Sequence, residues 1–475
     1  MPEQLSVDLC VIGGGSGGLS VAAGASQMGA SVVLVEKAKM GGDCLNYGCV
    51  PSKALLAAGH AAQAVRKAAA FGVRAADPEV DPAAVHGHVH GTIAAIAPHD
   101  SVERFEGLGV RVIQAPARFT GATEITAGDT IIEARRVVVA TGSSPFVPPI
   151  PGLGEVPYLT NESVFDLTDL PSHLIVVGGG PVGVELAQAH RHLGCRVTVL
   201  EMADILPKDD PELVDFLRRR LIADGVDLRE GAAVTQVAKA DDGITVTVEA
   251  GGVSQEITGS HLLVAAGRRP NIGGLDLEKA GIQASPQGIT VDERLRTTNK
   301  KVFAIGDVAG GYQFTHMAGY HAGIVIRNAL FRLPAKVETK AVPWVTYAAP
   351  ELAHVGLTEA MARKNQTGEL RILRWSFAEN DRAQAEAQTS GMIKVVATKK
   401  GKILGASIVG PQAGELIQTW VLAISQGLKI GAMANMIAPY PTLGEVSKRA
   451  AGSFYTQALF SERTKKIVKF LAKFG

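Results

Sequence analysis

The sequence predicts an α/β protein with two Rossmann-like dinucleotide-binding domains followed by a smaller α+β domain. Three observations predict it. A glycine fingerprint of GxGxxG spacing occurs twice, at Gly13-Gly15-Gly18 and at Gly178-Gly180-Gly183. Each copy sits between an apolar run and a small-residue stretch of helical character, the pattern of a βαβ unit. Beyond about Ala341 the pattern changes to mixed strands and two late helices with no further fingerprint.

In the first copy, Val7 to Ile12 reads as a strand, Leu19 to about Met28 as a helix, and Ser31 to Val35 as a second strand ending in Glu36. In the second, Leu174 to Val177 is followed by a helix to about His192 and by the strand Arg196 to Leu200, ending in Glu201. The first glycine of each set permits a tight turn, the second lets the backbone approach a pyrophosphate, and the third lets helix and strand pack closely. The helix N-terminus then offers free N–H groups to phosphate. Glu36 and Glu201 are placed to accept hydrogen bonds from ribose hydroxyls. At the second site a carboxylate repels a 2′-phosphate, which favours NAD over NADP; Arg196 lies before the strand, not after it.

Bulk properties bound the function. A chain of 475 residues exceeds one core, so about three domains are expected. The net charge of +1 provides no global field for nucleic acid. No apolar run reaches the roughly 18 residues of a transmembrane segment, and the N-terminus lacks a basic leader with a cleavage site, so a cytoplasmic protein is expected. The tail from Arg463 to Phe474 interleaves Lys465, Lys466, Lys469 and Lys473 with apolar residues. It could rest on a membrane surface; a terminal helix packed on a subunit is the simpler expectation.

The segment Gly41-Gly42-Asp43-Cys44-Leu45-Asn46-Tyr47-Gly48-Cys49-Val50-Pro51-Ser52-Lys53 carries the chemistry. It follows Glu36 closely and so lies near the first nucleotide. Pro51 suits the first turn of a helix, and Lys53 to Ala70 is rich in helix formers. Both thiols are therefore expected at a helix N-terminus, where the dipole favours the thiolate. Lys53, four residues after Cys49, adds a cation on the same face. Cys10 and Cys195 lie in apolar surroundings and read as small buried residues. His86 and His90 share a helical face, with His88 and His99 nearby, but a polar surface is the simpler reading and no metal site is expected.

This redox segment resembles the active-site signature of the class I pyridine nucleotide–disulfide oxidoreductases, which include dihydrolipoamide dehydrogenase, glutathione reductase and mercuric reductase. The similarity extends to Ala140-Thr141-Gly142, Gly267-Arg268-Arg269-Pro270-Asn271, Ala304-Ile305-Gly306-Asp307 and Val355-Gly356-Leu357-Thr358-Glu359, and so to nearly the whole chain. The resemblance implies FAD and NAD(H) as cofactors. It implies a split FAD domain over residues 1–150 and 275–340, an NAD domain over 151–274, and a dimerisation domain over 341–475. Cys49 would face the flavin as a charge-transfer thiolate, Cys44 would exchange with substrate, Lys53 would pair with Glu185, and Asp307 would bind the FAD ribityl chain. Thr141, Gly142, Gly267, Gly306 and Ala318 would line the cofactors. The family is a homodimer in which each active site is completed by the partner subunit.

One departure bears on the substrate. Disulfide reductases of this family carry His-Pro-Thr-x-x-Glu near the C-terminus, the His acting as acid–base for thiol exchange. Here the segment reads Tyr440-Pro441-Thr442-Leu443-Gly444-Glu445. A phenol titrating near 10 is a poor acid–base at neutral pH. A tyrosine there is similar to mercuric reductase, yet the chain ends Lys473-Phe474-Gly475 without that enzyme's C-terminal cysteine pair. A dithiol or disulfide carrier, as for dihydrolipoamide dehydrogenase, is the expected substrate; a metal ion or quinone is the alternative. Asp43, where the signature more often has Thr, is expected to raise the Cys44 pKa.

Overall fold

The computed structural model describes residues 2–365 and 368–474. Val, Ile and Leu runs that are covered on both faces form parallel strands. The first sheet contains β1 (Glu3–Ile12), β2 (Val32–Glu36), β3 (Val110–Gln114), β4 (Ala117–Phe119), β5 (Glu124–Ala127) and β6 (Thr130–Val139). Their order is β3-β2-β1-β6-β5-β4, with the strand Val302–Ala304 also paired to β6. β1, β2, β3 and β6 are parallel, in the register Leu9↔Val32 and Ile12↔Val35 for β1 and β2. Residues alternate along β1: Leu9 and Val11 enter one core with Val21 and Phe303, whereas Cys10 and Ile12 enter another with Phe119 and Val302.

The helix α1 (Ser16–Gln27) joins β1 to β2. Between β2 and β3 lie α2 (Gly42–Asn46), α3 (Cys49–Lys67), α4 (Pro82–Ile96) and α5 (Val102–Gly107). The sequence predicts both thiols at the N-terminus of one helix with Pro51 in its first turn; α3 begins at Cys49 with Pro51 in that turn, whereas Cys44 lies on the separate short helix α2. Tyr47, at φ −141°, ends α2 before α3 begins, while Gly41 at φ 85° and Gly42 at φ 58° start α2 in a backbone conformation costly for other residues.

The second frame repeats the first. β7 (Ser143–Pro145) pairs antiparallel with Arg268–Pro270, and is followed by β8 (His173–Val177), α6 (Pro181–His192) and β9 (Arg196–Leu200). β8 lies parallel to both β9 and His261–Val264.

The chain divides into two compact units. The first takes residues through Ala64, Asp77–Met202 and Ala232–Glu338; the second takes Val65–Ala76, Ala203–Gly231 and the chain from Thr339 onward. The second unit is built on a five-stranded antiparallel sheet, with Glu351–Gly356, Ile403–Gly410 and Met392–Thr398 at its centre. Trp420 is fully buried against it and donates its indole N–H to Ser447 at 3.0 Å. Lys394 explains why residues 203–231 belong to this unit. Its buried ammonium lies 2.8 Å from Asp210, 2.9 Å from Glu212 and 2.7 Å from Glu359. A buried cation is tolerated only when its donors are satisfied in this way.

Candidate active site

The two glycine loops have the same geometry. Gly13 takes φ 112° and Gly178 takes φ 114°. A Cβ on Gly13 would stand 2.4 Å from the Ala140 carbonyl oxygen, and one on Gly178 would stand 2.4 Å from that of Ala265. At the third position, a Cβ on Gly18 would meet the Gly13 oxygen at 1.8 Å and one on Gly183 the Gly178 oxygen at 2.0 Å. Only glycine satisfies these contacts. Each strand-end glutamate then closes its own loop: Glu36 accepts from the Gly14 N–H at 2.5 Å and Glu201 from the Gly179 N–H at 2.7 Å.

The loops fit dinucleotides. No side chain caps the N-terminus of α1 at Gly15 or of α6 at Gly180, so the first-turn N–H groups are offered outward. A Cβ on Gly142, Gly180 or Gly267 would meet no atom within 4 Å, leaving room for a ligand to approach the backbone. Thr141 Oγ1 donates to the Asn271 carbonyl at 2.7 Å, and Asn271 Nδ2 donates back to the Thr141 carbonyl at 3.0 Å, which fixes Gly142. Gly17 and Gly306 pack closely on Ala318: a Cβ on Gly306 would lie 3.2 Å from its Cβ, and one on Gly17 3.3 Å.

The thiols form an asymmetric pair. The Cys44 thiol donates to Cys49, and Thr315 Oγ1 lies 3.5 Å from Cys49 Sγ. The hydrogen bond from Cys44 lowers the Cys49 pKa to about 6; burial opposes the shift, Thr315 and the Lys53 ammonium assist it, and Asp43 opposes it. Cys44 is shifted upward, first by donating to Cys49 and then by burial. One sulfur is thus a thiolate near neutral pH and the other its proton donor. Cys10 and Cys195 are buried, and burial pushes their thiols up to about 12 and about 11.

Lys53 lies one turn into α3, and its Nζ is 2.7 Å from Glu185 Oε2 on α6. Glu185 is only 5% exposed, so the pair ties the redox helix to the second nucleotide frame.

Sequence reasoning missed the network around Asp43. Arg268 Nη2 is 3.0 Å from Asp43 Oδ1, while Arg268 also donates to Ser143 through Nε at 2.8 Å. Ser143 Oγ in turn donates to Asp307 Oδ2 at 2.6 Å, and burial raises the Asp307 pKa. Asn161 Nδ2 donates to Asp43 at 3.1 Å. The expectation for Asp43 is corrected in one respect. Its charge raises the pKa of Cys49, whereas the shift of Cys44 is set by Cys49 and by burial. The only available signal was Arg268 itself, in the Gly-Arg-Arg-Pro-Asn segment, whose partner cannot be read from spacing.

In the second unit, Tyr440 is exposed and its Oη donates to Asp381 Oδ2 at 3.0 Å. That hydrogen bond, with the charges of Asp381 and Glu445, raises the Tyr440 pKa. Glu445 is the first residue of the helix Glu445–Leu459. The His86 and His90 rings are 4.2 Å apart on α4, and His90 Nε2 lies 3.1 Å from the Phe165 carbonyl oxygen. Among the described residues no group of three His, Cys, Asp or Glu side chains could hold a metal ion.

Residues 7–322 match the pyridine nucleotide-disulphide oxidoreductase family, and residues 342–451 match its dimerisation domain. The chain belongs to this family. FAD and NAD(P)H are the family's cofactors. Similar proteins differ in what they are named for. Mercuric reductase of Bacillus cereus is 35% identical over 450 residues, covering 94% of this chain and 71% of that protein. Dihydrolipoyl dehydrogenase of Thermus scotoductus is 37% identical over 470 residues, covering 95% of this chain and 98% of that one. Among solved structures, the HOCl-induced flavoprotein disulfide reductase RclA of Escherichia coli, as its Cu(II) complex, aligns with a TM-score of 0.84 at 27% identity, covering 93% of this chain and 99% of that one. The chain is therefore a flavoprotein oxidoreductase of this family. Among the described residues no helix is long and apolar enough to cross a membrane.

Proposed function

We propose that the chain is an FAD-dependent NADH:disulfide oxidoreductase acting on a small or carrier-bound dithiol or disulfide, in the manner of dihydrolipoamide dehydrogenase. The observation that carries this is the Cys44–Cys49 pair, with one sulfur activated and the other holding the proton. FAD, when bound, supplies the two-electron relay between nicotinamide and disulfide. The chain's own residues do the rest. The loops at Gly13–Gly18 and Gly178–Gly183 bind the pyrophosphates, and Glu36 and Glu201 take the riboses. The Glu201 carboxylate favours NADH over NADPH. Ser143 and Arg268 hold Asp307 toward the first cofactor. Lys53, fixed by Glu185, keeps a cation beside the Cys49 thiolate. Cys44 passes its proton to the Cys49 thiolate and attacks the substrate disulfide, forming a mixed disulfide; Cys49, giving that proton to the departing substrate thiolate, then attacks Cys44, which releases the substrate dithiol and leaves the Cys44–Cys49 disulfide.

The domain plan of the resemblance supports this reading: FAD over 1–150 and 275–340, NAD over 151–274, dimerisation over 341–475. In a homodimer, Tyr440 and Glu445 of the partner subunit would complete each site. Buried Cys10 and Cys195, each in apolar surroundings, suit a reducing cytoplasm.

A second reading, reduction of a metal ion or quinone, is favoured by one observation. Asp381 keeps Tyr440 protonated, which makes it a poor base for thiol exchange. Relatives named mercuric reductase and the Cu(II) complex of RclA lend it support. NADH oxidation by the FAD-loaded dimer, with lipoamide, mercury(II), copper(II) or a quinone as acceptor, separates the two. Turnover with lipoamide supports the first; NADH turnover that proceeds only with a metal ion or quinone overturns it in favour of the second.

A further inference from the structure

We propose that the C-terminal helix Glu462–Leu471 docks the enzyme on an anionic lipid surface. Ser461 starts it by accepting from the Thr464 N–H. The last turn carries on to Phe474, whose N–H donates to the Leu471 carbonyl at 3.0 Å. Ile467, Phe470, Leu471 and Phe474 recur at i, i+3, i+4 and i+7 and so share one face. Lys466, Lys469 and Lys473 recur at i, i+3 and i+7 along one flank of that stripe, and Lys465 lies on the side away from it.

The apolar face is open. Ile467 is 48% exposed, Phe470 and Leu471 58% each and Phe474 75%, and no residue of the helix is buried. The polar face has one sign. Its four lysines stand against a single carboxylate, Glu462, which pairs with Lys465 at 2.8 Å, and Arg463 adds a fifth positive charge at the start of the apolar stripe. Among the described residues, Lys466, Lys469 and Lys473 have no carboxylate partner.

These two faces together select the occupant. A helix that packs its apolar face on a second subunit turns its polar face to water, where mixed charges serve solubility. A predominantly cationic flank beside Phe, Leu and Ile is the pattern of a helix lying in the plane of an anionic bilayer, with lysine stems reaching up to the headgroups. The family's dimerisation domain matches residues 342–451, so the helix lies outside the segment that similarity assigns to subunit pairing. Each lysine near such a surface adds to binding, and the attraction falls with salt.

The test uses the FAD-loaded full chain sedimented with vesicles of phosphatidylcholine alone or of phosphatidylcholine and phosphatidylglycerol in equal parts. The expected result is at least about tenfold more protein pelleted with phosphatidylglycerol, released by added salt. The triple variant Lys466→Glu, Lys469→Glu, Lys473→Glu should lose the preference for phosphatidylglycerol. The double variant Phe470→Ser, Leu471→Ser should lose binding to both vesicles. Both variants should keep wild-type NADH oxidation and elution volume. Absence of vesicle binding, or equal binding to both compositions, overturns the proposal. So does a serine variant that elutes as a smaller species, which would assign the apolar face to a second copy of the chain.

Discussion

The two nucleotide loops are copies in geometry and differ in the segment downstream of each. Gly13 and Gly178 share a φ near 112–114°, and Glu36 and Glu201 each close back on the N–H that comes after their first glycine. After Glu36 the chain turns through Gly41 and Gly42 and lays down Cys44 and Cys49; after Glu201 it runs to Met202, exposed and without such a segment. Within the helices, Glu185 of α6 stands where α1 has Ser20, and it reaches the redox helix through Lys53. The frame is thus a repeated solution to binding a pyrophosphate. The chemistry is an insertion after one copy, with an anchor supplied by the other.

The largest effect is expected at the redox pair. Cys44→Ser should drop lipoamide turnover to background while NADH still reduces the bound flavin. Turnover that survives would separate the redox pair from the reaction. Next, Gly18→Ala and Gly183→Ala should both destabilise the fold by about 1–3 kcal/mol, because each Cβ would collide with a carbonyl oxygen. They should differ in which ligand is lost: FAD retention for Gly18→Ala, NADH affinity for Gly183→Ala. Gel filtration with flavin absorbance, and NADH titration by fluorescence, would show whether the losses are exchanged.

A smaller effect is expected from Glu201→Gln, which should raise the KM for NADH about tenfold and narrow the gap to NADPH, as removal of one charge-assisted hydrogen bond implies. Equal KM changes for both cofactors would remove Glu201 from cofactor choice.

The thiol asymmetry gives a pH prediction. The Cys49 pKa is lowered, so its thiolate persists down to about pH 6 and is protonated only below that. Iodoacetamide alkylation of the reduced protein should therefore reach half its maximal rate near pH 6. Lys53→Met removes a stabilising cation and should move the midpoint up. The smallest shift is expected from Asp43→Asn, which removes an opposing charge and should move it slightly down; an upward shift would contradict the placement of Asp43.

Much of the frame was legible in the sequence because its constraints are local. A glycine that must take positive φ, or that sits 2 Å from a neighbouring carbonyl, leaves a mark at a fixed spacing. So do the cysteine pair and the Lys53–Glu185 pair, once the family resemblance is admitted. The Arg268–Asp43–Asn161 contacts were not legible, since they join segments more than 100 residues apart and polar pairing has no period. Pro51 falls in the first turn of α3 as its position implies, but the separate helix that carries Cys44 was not legible, because nothing in the spacing of the two cysteines marks the break at Tyr47. Lys394 was invisible for a related reason: its three carboxylates come from two distant segments, Asp210 with Glu212 and Glu359.

The most direct test of the account is alkylation mapping after anaerobic oxidation. The FAD-loaded protein would be oxidised, given NADH alone, alkylated and digested. The account predicts new alkylation at Cys44 and Cys49, absent before NADH, with Cys10 and Cys195 protected throughout the native step. Flavin bleaching by NADH without new alkylation at Cys44 and Cys49 would contradict it, because the electrons would then stop short of the pair.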